Sequence, residues 1–156
     1  MQLSSLEPGR LPLDIFNEIA RLTVTPVLEL VPFYREPSSN KVLLLQRSSK
    51  DALWPNMYHV PGTVLMATDQ PGSFRDAIER ACLKIKDCSY SNPIFVSVKL
   101  YKVARGLEAA IIYATELTEL PKNPLLYNYQ SIPENMIEGQ AEIIKTAFEN
   151  LNVFSE

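Results

Sequence analysis

The stretch that decides the fold is "GTVLMATDQPGSFRDAIERACLKI", residues 62–85. Within it, Ser73 stands three residues before Asp76, an arrangement like the capping box that begins many helices. Apolar side chains then recur at the spacing of one helical face, at Phe74, Ala77, Ile78, Ala81, Cys82 and Ile85. The pattern predicts a loop that runs from a Pro-Gly turn into an amphipathic helix.

The runs on either side of this segment predict strands. The run "KVLLLQR" (41–47) is typical of a strand covered on both faces, and it is expected to pair with residues 24–34 as a hairpin. Because residues 24–34 contain two prolines, they are expected to form an edge strand. A brief strand is predicted at 58–60, and two β-rich runs separated by Gly106 predict a second hairpin.

Helical spacing also occurs near both ends of the chain. Pro12 suits the first turn of a helix that is expected to end near Thr23, and residues 137–151 carry an apolar face. The order of elements predicts an α/β fold, α+β in the broad sense, with a mixed β-sheet between helices. The length of 156 residues suits a single domain over 1–156.

Composition narrows the classes of partner. The net charge is −3 and the basic residues are dispersed, which disfavours binding to duplex nucleic acid. The sequence has neither a signal peptide pattern nor a run of about 18 apolar residues, so a cytoplasmic protein without membrane contact is expected. Cys82 and Cys88 lack the spacing of a zinc site, and Cys82 is expected to be a small buried hydrophobe.

The middle of the chain resembles the Nudix superfamily. The resemblance rests on "KVLLLQRS", "LWPNMYHVPGTV" and "RDAIERACLKI" in this order, and it is strongest over residues 26–148. It implies a mixed sheet sandwiched between helices. It also implies hydrolysis of a nucleoside diphosphate linked to another group, with Mg²⁺ or Mn²⁺ held by glutamates that share one helical face.

The metal-binding glutamates of that family are missing here. The family signature is G-x5-E-x7-R-E-U-x-E-E-x-G-U, where U is a bulky aliphatic residue. With Arg80 on the signature arginine, the glutamate positions hold Ala81, Lys84 and Ile85. Standard metal-dependent hydrolysis is therefore expected to be impaired or lost, and no cofactor is assigned with certainty.

Substitute carboxylates are the alternative. Asp69 is the nearest acidic match to the loop glutamate, and a shifted alignment nominates Asp76 and Glu79 as catalytic residues. If the protein is active, Asp69, Asp76 and Glu79 would hold the metal. An ion pair between Asp76 and Arg80 at i, i+4 explains both residues without any function. Arg80 could instead brace the loop that begins at Gly62.

The residues around the Pro-Gly turn are candidates for ligand binding, although aromatic residues at such a turn more often serve core packing. These candidates are Arg47, Trp54, Tyr58 and His59. His59 is the only histidine, and one histidine without a positioned partner does not make a catalytic triad. Most of the later acidic residues are expected to be solvated surface, namely Glu108, Glu116, Glu134, Glu138 and Glu142.

Three functions remain open. The first is a Nudix-like domain that binds a nucleotide or diphosphate-type small molecule without efficient turnover. The second is an active, divergent hydrolase that uses the substitute carboxylates. The third is a protein-interaction or regulatory module on the same scaffold, and a homodimer is compatible with each of the three.

Overall fold

The computed structural model describes residues 3–151. The helices are α1 (Leu13–Leu22), α2 (Arg75–Cys82) and α3 (Gln140–Leu151), with 3₁₀ turns at Leu3–Ser5 and Leu83–Ile85. The strands are β1 (Val24–Arg35), β2 (Asn40–Leu43), β3 (Leu45–Gln46), β4 (Tyr58–His59), β5 (Gly62–Val64), β6 (Ser89–Tyr90), β7 (Ile94–Val103), β8 (Gly106–Glu119) and β9 (Leu126–Asn128). Among these residues, no helix is long and apolar enough to cross a membrane.

The main sheet is mixed and has seven strands. β1 runs parallel to β8 and antiparallel to both β2 and β5, while β7 and β6 pair antiparallel with β8. β9 extends the sheet beyond β2, and β3 with β4 forms a separate two-stranded ribbon. The α/β class and both predicted hairpins, β1–β2 and β7–β8, are confirmed.

The prediction that residues 24–34 form an edge strand was wrong, because β1 lies at the centre of the sheet. Leu30 donates its N–H to Pro61 O, next to β5. Along a strand, every second residue directs its backbone nitrogen to the same side. Pro26 and Pro32 are an even number of residues from Leu30, so their nitrogens also face the β5 side and not β8. Pro26 lies at the end of the β5 pairing, and Pro32 lies between the segments paired with β5 and β2. Neither proline therefore interrupts the pairing with β8.

A helix covers each face of the sheet. On one face, Ala77, Ala81 and Ile85 pack with Leu28 and Leu30 of β1 in a buried cluster. On the other face, α3 packs against alternate residues of β1 and β8, in a cluster that includes Val27, Val31, Phe33, Ile112, Ile144 and Phe148. This alternation follows from the two-residue period of a strand. The predicted layering of a sheet between helices is confirmed.

The start of α2 differs from the predicted capping box. The helix begins at Arg75, and no side chain caps it. Ser73 Oγ accepts a hydrogen bond of 3.4 Å from Arg75 N, and Asp76 Oδ2 accepts one of 2.8 Å from Gln70 N. The carboxylate of Asp76 therefore ties the preceding loop to the helix.

Candidate ligand-binding site

A cavity of about 980 Å³ lies beside the Pro-Gly turn. Residues from α1, β1, β5, β7, β8 and α3 line it, together with the loop around Trp54 and the 3₁₀ turn that follows α2. The cavity is therefore built where the quoted loop-helix segment meets the centre of the sheet.

Arg80 holds the loop after β5 in place. Its Nη2 donates to Asp69 Oδ2 at 2.9 Å and to Val64 O at 3.2 Å, and its Nε donates to Thr63 Oγ1 at 3.3 Å. We call this set, Arg80 with Thr63, Val64 and Asp69, the loop brace. The hydrogen bond from Arg80 lowers the pKa of Asp69. The sequence predicted an ion pair between Arg80 and Asp76, but Arg80 pairs with Asp69 instead.

Lys84 lies in the 3₁₀ turn after α2 and reaches the rim of the cavity. Its Nζ donates a hydrogen bond to Gly62 O. Desolvation of the ammonium, and then the nearby guanidinium of Arg47, lower the pKa of Lys84. A fixed cation therefore lies next to the first residue of β5.

The three carboxylates nominated as metal ligands do not line this cavity. Asp69 is engaged by Arg80, and Asp76 accepts the hydrogen bond from Gln70 N. Over residues 3–151, no group of three or more His, Cys, Asp or Glu side chains is arranged to hold a metal ion. The arrangement of Asp69, Asp76 and Glu79 therefore does not fit the magnesium or manganese that the family resemblance implies.

Glu29 of β1 lies against β5 and is only 8% exposed. Its Oε1 accepts a hydrogen bond of 3.1 Å from Gln140 Nε2. Gly62 is the residue opposite it, and a Cβ added there would lie 2.8 Å from Glu29 Cδ. The missing side chain of Gly62 thus makes the space that the carboxyl group occupies.

Burial and the neighbouring Glu108 raise the pKa of Glu29 to about 8, although Gln140, Lys84 and Arg105 act in the opposite direction. The folded protein therefore favours the protonated form of Glu29.

Three of the four ligand candidates line the cavity, namely Arg47, Trp54 and His59. Trp54 is buried, and its Nε1 donates to Glu138 Oε2 at 2.8 Å. Tyr58 is not a lining residue, and its ring packs edge-on against Tyr127 with centroids 5.6 Å apart.

His59 is 7% exposed and has Nδ1 2.7 Å from Val60 O. Because a carbonyl only accepts, Nδ1 carries the hydrogen of the neutral ring and Nε2 is left as an acceptor. Burial, and then Arg47, lower the pKa of His59 to about 4, so the ring is neutral at pH 7.

Glu108 was expected on the solvated surface, and that expectation was wrong. It is 8% exposed, and Arg105 Nε donates to its Oε1 at 2.6 Å. The guanidinium of Arg105 also lies over the rings of Phe16, at 5.2 Å, and Trp54, at 5.3 Å. This pair links α1, the hairpin β7–β8 and the Trp54 loop at the back of the cavity.

Several residues that line the cavity were missed as site candidates, namely Glu29, Tyr101, Arg105 and Gln140. One of them carries a sequence signal: Glu29 is the only charged residue in the apolar run "VTPVLELVPFY". A glutamate that a strand pattern places in a core is costly to bury without a partner, and for that reason marks a site. Gln140 and Tyr101 carry no comparable signal.

The side chains among residues 3–151 with buried polar atoms that lack hydrogen-bond partners line this cavity. Across the described residues, four buried side-chain atoms have no partner: Asn17 Oδ1, Glu29 Oε2, Arg47 Nε and Tyr101 OH. All four residues line the cavity. The Tyr101 hydroxyl lies near Thr146 of α3. Since most buried polar atoms in folded proteins are hydrogen-bonded, the other three exceptions, in Asn17, Glu29 and Arg47, indicate a site with unfilled hydrogen-bonding capacity.

Comparisons with known proteins identify the fold. A scan against protein-family models found no match, and no curated protein matches in sequence. Solved structures do match. The Nudix domain of Shewanella oneidensis NrtR, solved with ADP ribose, superposes with a TM-score of 0.63 and 16% identity, covering 83% of this chain and 89% of that chain.

Two further structures agree. A mutT/nudix family protein from Listeria innocua has a TM-score of 0.62 and 15% identity, covering 85% of this chain and 97% of its own. The C-terminal domain of mouse MUTYH, solved in complex with human PCNA, has a TM-score of 0.57 and 12% identity, covering 84% and 91%. On its own geometry and on these superpositions, the chain has the fold of the Nudix superfamily.

Proposed function

We propose that this protein binds a nucleoside-diphosphate-type small molecule in the cavity, with the metal-dependent hydrolysis typical of the fold impaired or lost. The observation that carries the proposal is that Asn17, Glu29 and Arg47 leave three buried polar atoms without partners around one cavity. A ligand that supplied these partners would remove their desolvation penalty.

The charges of the cavity favour an anionic group. Arg47, Lys84 and Arg105 all line it, and a fixed guanidinium or ammonium is a good partner for a diphosphate. Aromatic side chains beside these cations, Trp54 and Phe16, offer faces for the apolar part of a ligand. The bound ADP ribose in the NrtR Nudix domain supports the same class of ligand.

The residues at the positions of the family's metal-binding glutamates support impaired turnover. Ala81 and Ile85 are buried in the cluster beneath α2, and Lys84 turns its ammonium to the Gly62 carbonyl. An ammonium at this place repels a divalent cation and itself attracts a phosphate. Lys84 would therefore supply part of the positive charge that a metal supplies elsewhere.

The test is calorimetric titration of the protein with ADP-ribose, in the presence of Mg²⁺ and again with a chelator. We expect saturable binding of similar affinity in both buffers, with no cleavage of the diphosphate. The variant K84A is expected to weaken binding by about tenfold, because one charge-assisted contact is lost. The variant K145A, on the exposed face of α3, is the matched control and should bind like wild type.

A different outcome would favour the divergent hydrolase. If the protein cleaves ADP-ribose or another nucleoside diphosphate derivative only with Mg²⁺ or Mn²⁺, and D76A or E79A abolishes the cleavage, then the substitute carboxylates hold the metal. Absence of binding by the folded protein to a broad panel of nucleoside diphosphate derivatives would contradict both proposals.

One observation favours the interaction module as a second candidate. Among residues 3–151, β7 pairs with β8 alone, and its Phe95, Val98 and Leu100 are 51%, 54% and 61% exposed. Exposed apolar residues on an edge strand mark surfaces that bind other chains, including a second copy. Sedimentation of the wild type and of V98K/L100K would test this, since a dimer formed through β7 should dissociate in the variant.

A further inference from the structure

Glu29 has a buried carboxyl group in which one oxygen has a hydrogen-bond partner and the other does not. Oε1 accepts from Gln140, whereas Oε2 is buried and has no partner among residues 3–151. The side chain lines the cavity, and its Oε2 occupies the space that a Cβ of residue 62 would fill. An unsatisfied oxygen in this position points to a group that is completed by a ligand.

Gln140 determines what each oxygen of Glu29 can do. Gln140 Oε1 accepts the hydrogen bond from Val60 N at 2.9 Å, so its amide oxygen is committed to the backbone. The nitrogen end of the amide must therefore face Glu29, at 3.1 Å from Oε1. Since Oε1 accepts, the proton of a neutral Glu29 is carried by Oε2.

The charges that face Glu29 come from three elements. Glu108 of β8 favours the protonated form, while Lys84 after α2 and Arg105 of the β7–β8 hairpin favour the ionised form. Burial acts with Glu108, and together they outweigh the two cations. Glu108 itself is paired with Arg105, and no ion pair among residues 3–151 includes Glu29.

We propose that Glu29 is a specificity-determining residue, whose Oε2–H donates a hydrogen bond to an uncharged acceptor of the ligand, such as a hydroxyl, a carbonyl oxygen or a ring nitrogen. This inference rests on the proposed function, which places the diphosphate among the cations Arg47, Lys84 and Arg105. An ionised Glu29 would instead offer no donor and would repel the diphosphate. The site thus selects ligands that place an acceptor next to the first residue of β5.

The pKa of about 8 makes this selection dependent on pH. Below pH 8 most Glu29 carries the Oε2–H donor. Above pH 8 the fraction of protein with a neutral Glu29 falls by up to about tenfold for each pH unit. ADP-ribose is a suitable probe because its diphosphate keeps the same charge across this range. The lysine ammonium is the other group that can titrate, and K84R replaces it by a cation that stays charged.

The experiment is calorimetry with ADP-ribose at pH 6.5, 7.5, 8.5 and 9.5. The E29A substitution should weaken binding at pH 6.5 by about tenfold or more, because a buried donor is lost. E29Q should restore it, because a glutamine can turn its oxygen to Gln140 and its N–H to the ligand. In the K84R background, affinity should fall by about tenfold or more between pH 7.5 and 9.5, and E29Q should remove this fall.

Controls and contrary results separate the inference from the proposed function. E149Q, on the exposed face of α3, should follow the wild-type pH profile, and circular dichroism should show each variant folded. If K84R and K84R/E29Q share one pH profile, or if E29A binds as tightly as wild type, then Glu29 is not the donor and only this inference fails. If the folded wild type does not bind ADP-ribose at pH 6.5, the proposed function fails with it.

Discussion

Two carboxyl groups on either side of β5 show how differently this protein uses the same functional group. Asp69 in the loop brace has both oxygens bound by Arg80, and its side chain is 14% exposed. Glu29 is more deeply buried, with an amide on one oxygen and nothing among residues 3–151 on the other. The first carboxyl is complete within the chain and stabilises the loop. The second has an oxygen without a hydrogen-bond partner, which suits a group that contacts a ligand.

The pKa values of the two carboxyl groups also shift in opposite directions. The guanidinium of Arg80 lowers the pKa of Asp69, whereas burial beside Glu108 raises the pKa of Glu29 to about 8. Because the pKa of Asp69 is lowered, its carboxylate stabilises the folded state at pH values above the pKa of an aspartate in the unfolded chain. This stabilisation is lost as the pH falls. Because the pKa of Glu29 is raised, its protonated form stabilises the folded state fully at pH values below the pKa of a glutamate in the unfolded chain. This stabilisation is lost as the pH rises through about 8.

The largest expected effect is therefore the pH dependence that E29Q removes. The free energy of unfolding of the wild type, relative to E29Q, should fall by about 1.4 kcal/mol per pH unit between the unfolded pKa near 4.5 and the folded pKa near 8. The measurement is urea unfolding of both proteins from pH 4 to 9. Parallel curves across this range would show that Glu29 ionises as an ordinary glutamate.

The next effect concerns the space in front of Glu29. G62A adds a Cβ 2.8 Å from Glu29 Cδ, so the carboxyl group or β5 must move. We expect a loss of about 1–3 kcal/mol in the free energy of unfolding, typical of overpacking. G72A is the control for a glycine change in the same segment, because nothing lies within 4 Å of its added Cβ, although its positive φ also carries some strain. Equal losses in the two variants would mean that strain, and not Glu29, decides the result.

Breaking the loop brace should cost slightly less. R80A removes the bonds to Asp69, Thr63 and Val64 and leaves a half-buried carboxylate unpaired, for an expected loss of about 1–2 kcal/mol at pH 7. The loss should shrink as the pH falls and Asp69 is protonated, which is the opposite trend to that of Glu29. Thermal unfolding of R80A and of D76N, which leaves the loop brace intact, at pH 7 and pH 3 would measure both trends.

The smallest effect is at the back of the cavity. W54F keeps most of the buried ring but removes the hydrogen bond from Nε1 to Glu138, so we expect a loss of about 1 kcal/mol. Ligand affinity should change little if the tryptophan serves packing, and by much more if its ring stacks on the ligand. Calorimetry with ADP-ribose on the same variant separates these two roles.

Patterns of local spacing were sufficient for much of the fold. The apolar face of α2 and the hairpin turn before Gly106 depend on residues close in sequence, and their predictions agree with the structure. The run 41–47, predicted as one strand, is divided between β2 and β3, which lie in different sheets. The position of β1 in the sheet was not predictable in this way. Its two prolines are compatible with a central strand only because the chain places β5 and β2 so that neither nitrogen faces β8.

The candidate site was predicted less completely. Arg47, Trp54 and His59 were chosen for their closeness to the Pro-Gly turn, and they do line the cavity. Glu29, Gln140 and Tyr101 lie far from that turn in the sequence and reach it through strand pairing and the packing of α3. Distance along the chain hides such partners, because contacts across a sheet depend on register and not on spacing.

The sequence by itself determined the local framework: a Pro-Gly turn, an amphipathic helix with Arg80 on it, and a lysine where a metal-binding glutamate would be expected. Only the tertiary structure decided which carboxyl groups are satisfied. It turned Arg80 towards Asp69 and left Glu29 with one open oxygen at the cavity. The physical reason is that periodicity fixes which face a side chain lies on, whereas desolvation and hydrogen-bond partners depend on elements brought together from distant parts of the chain.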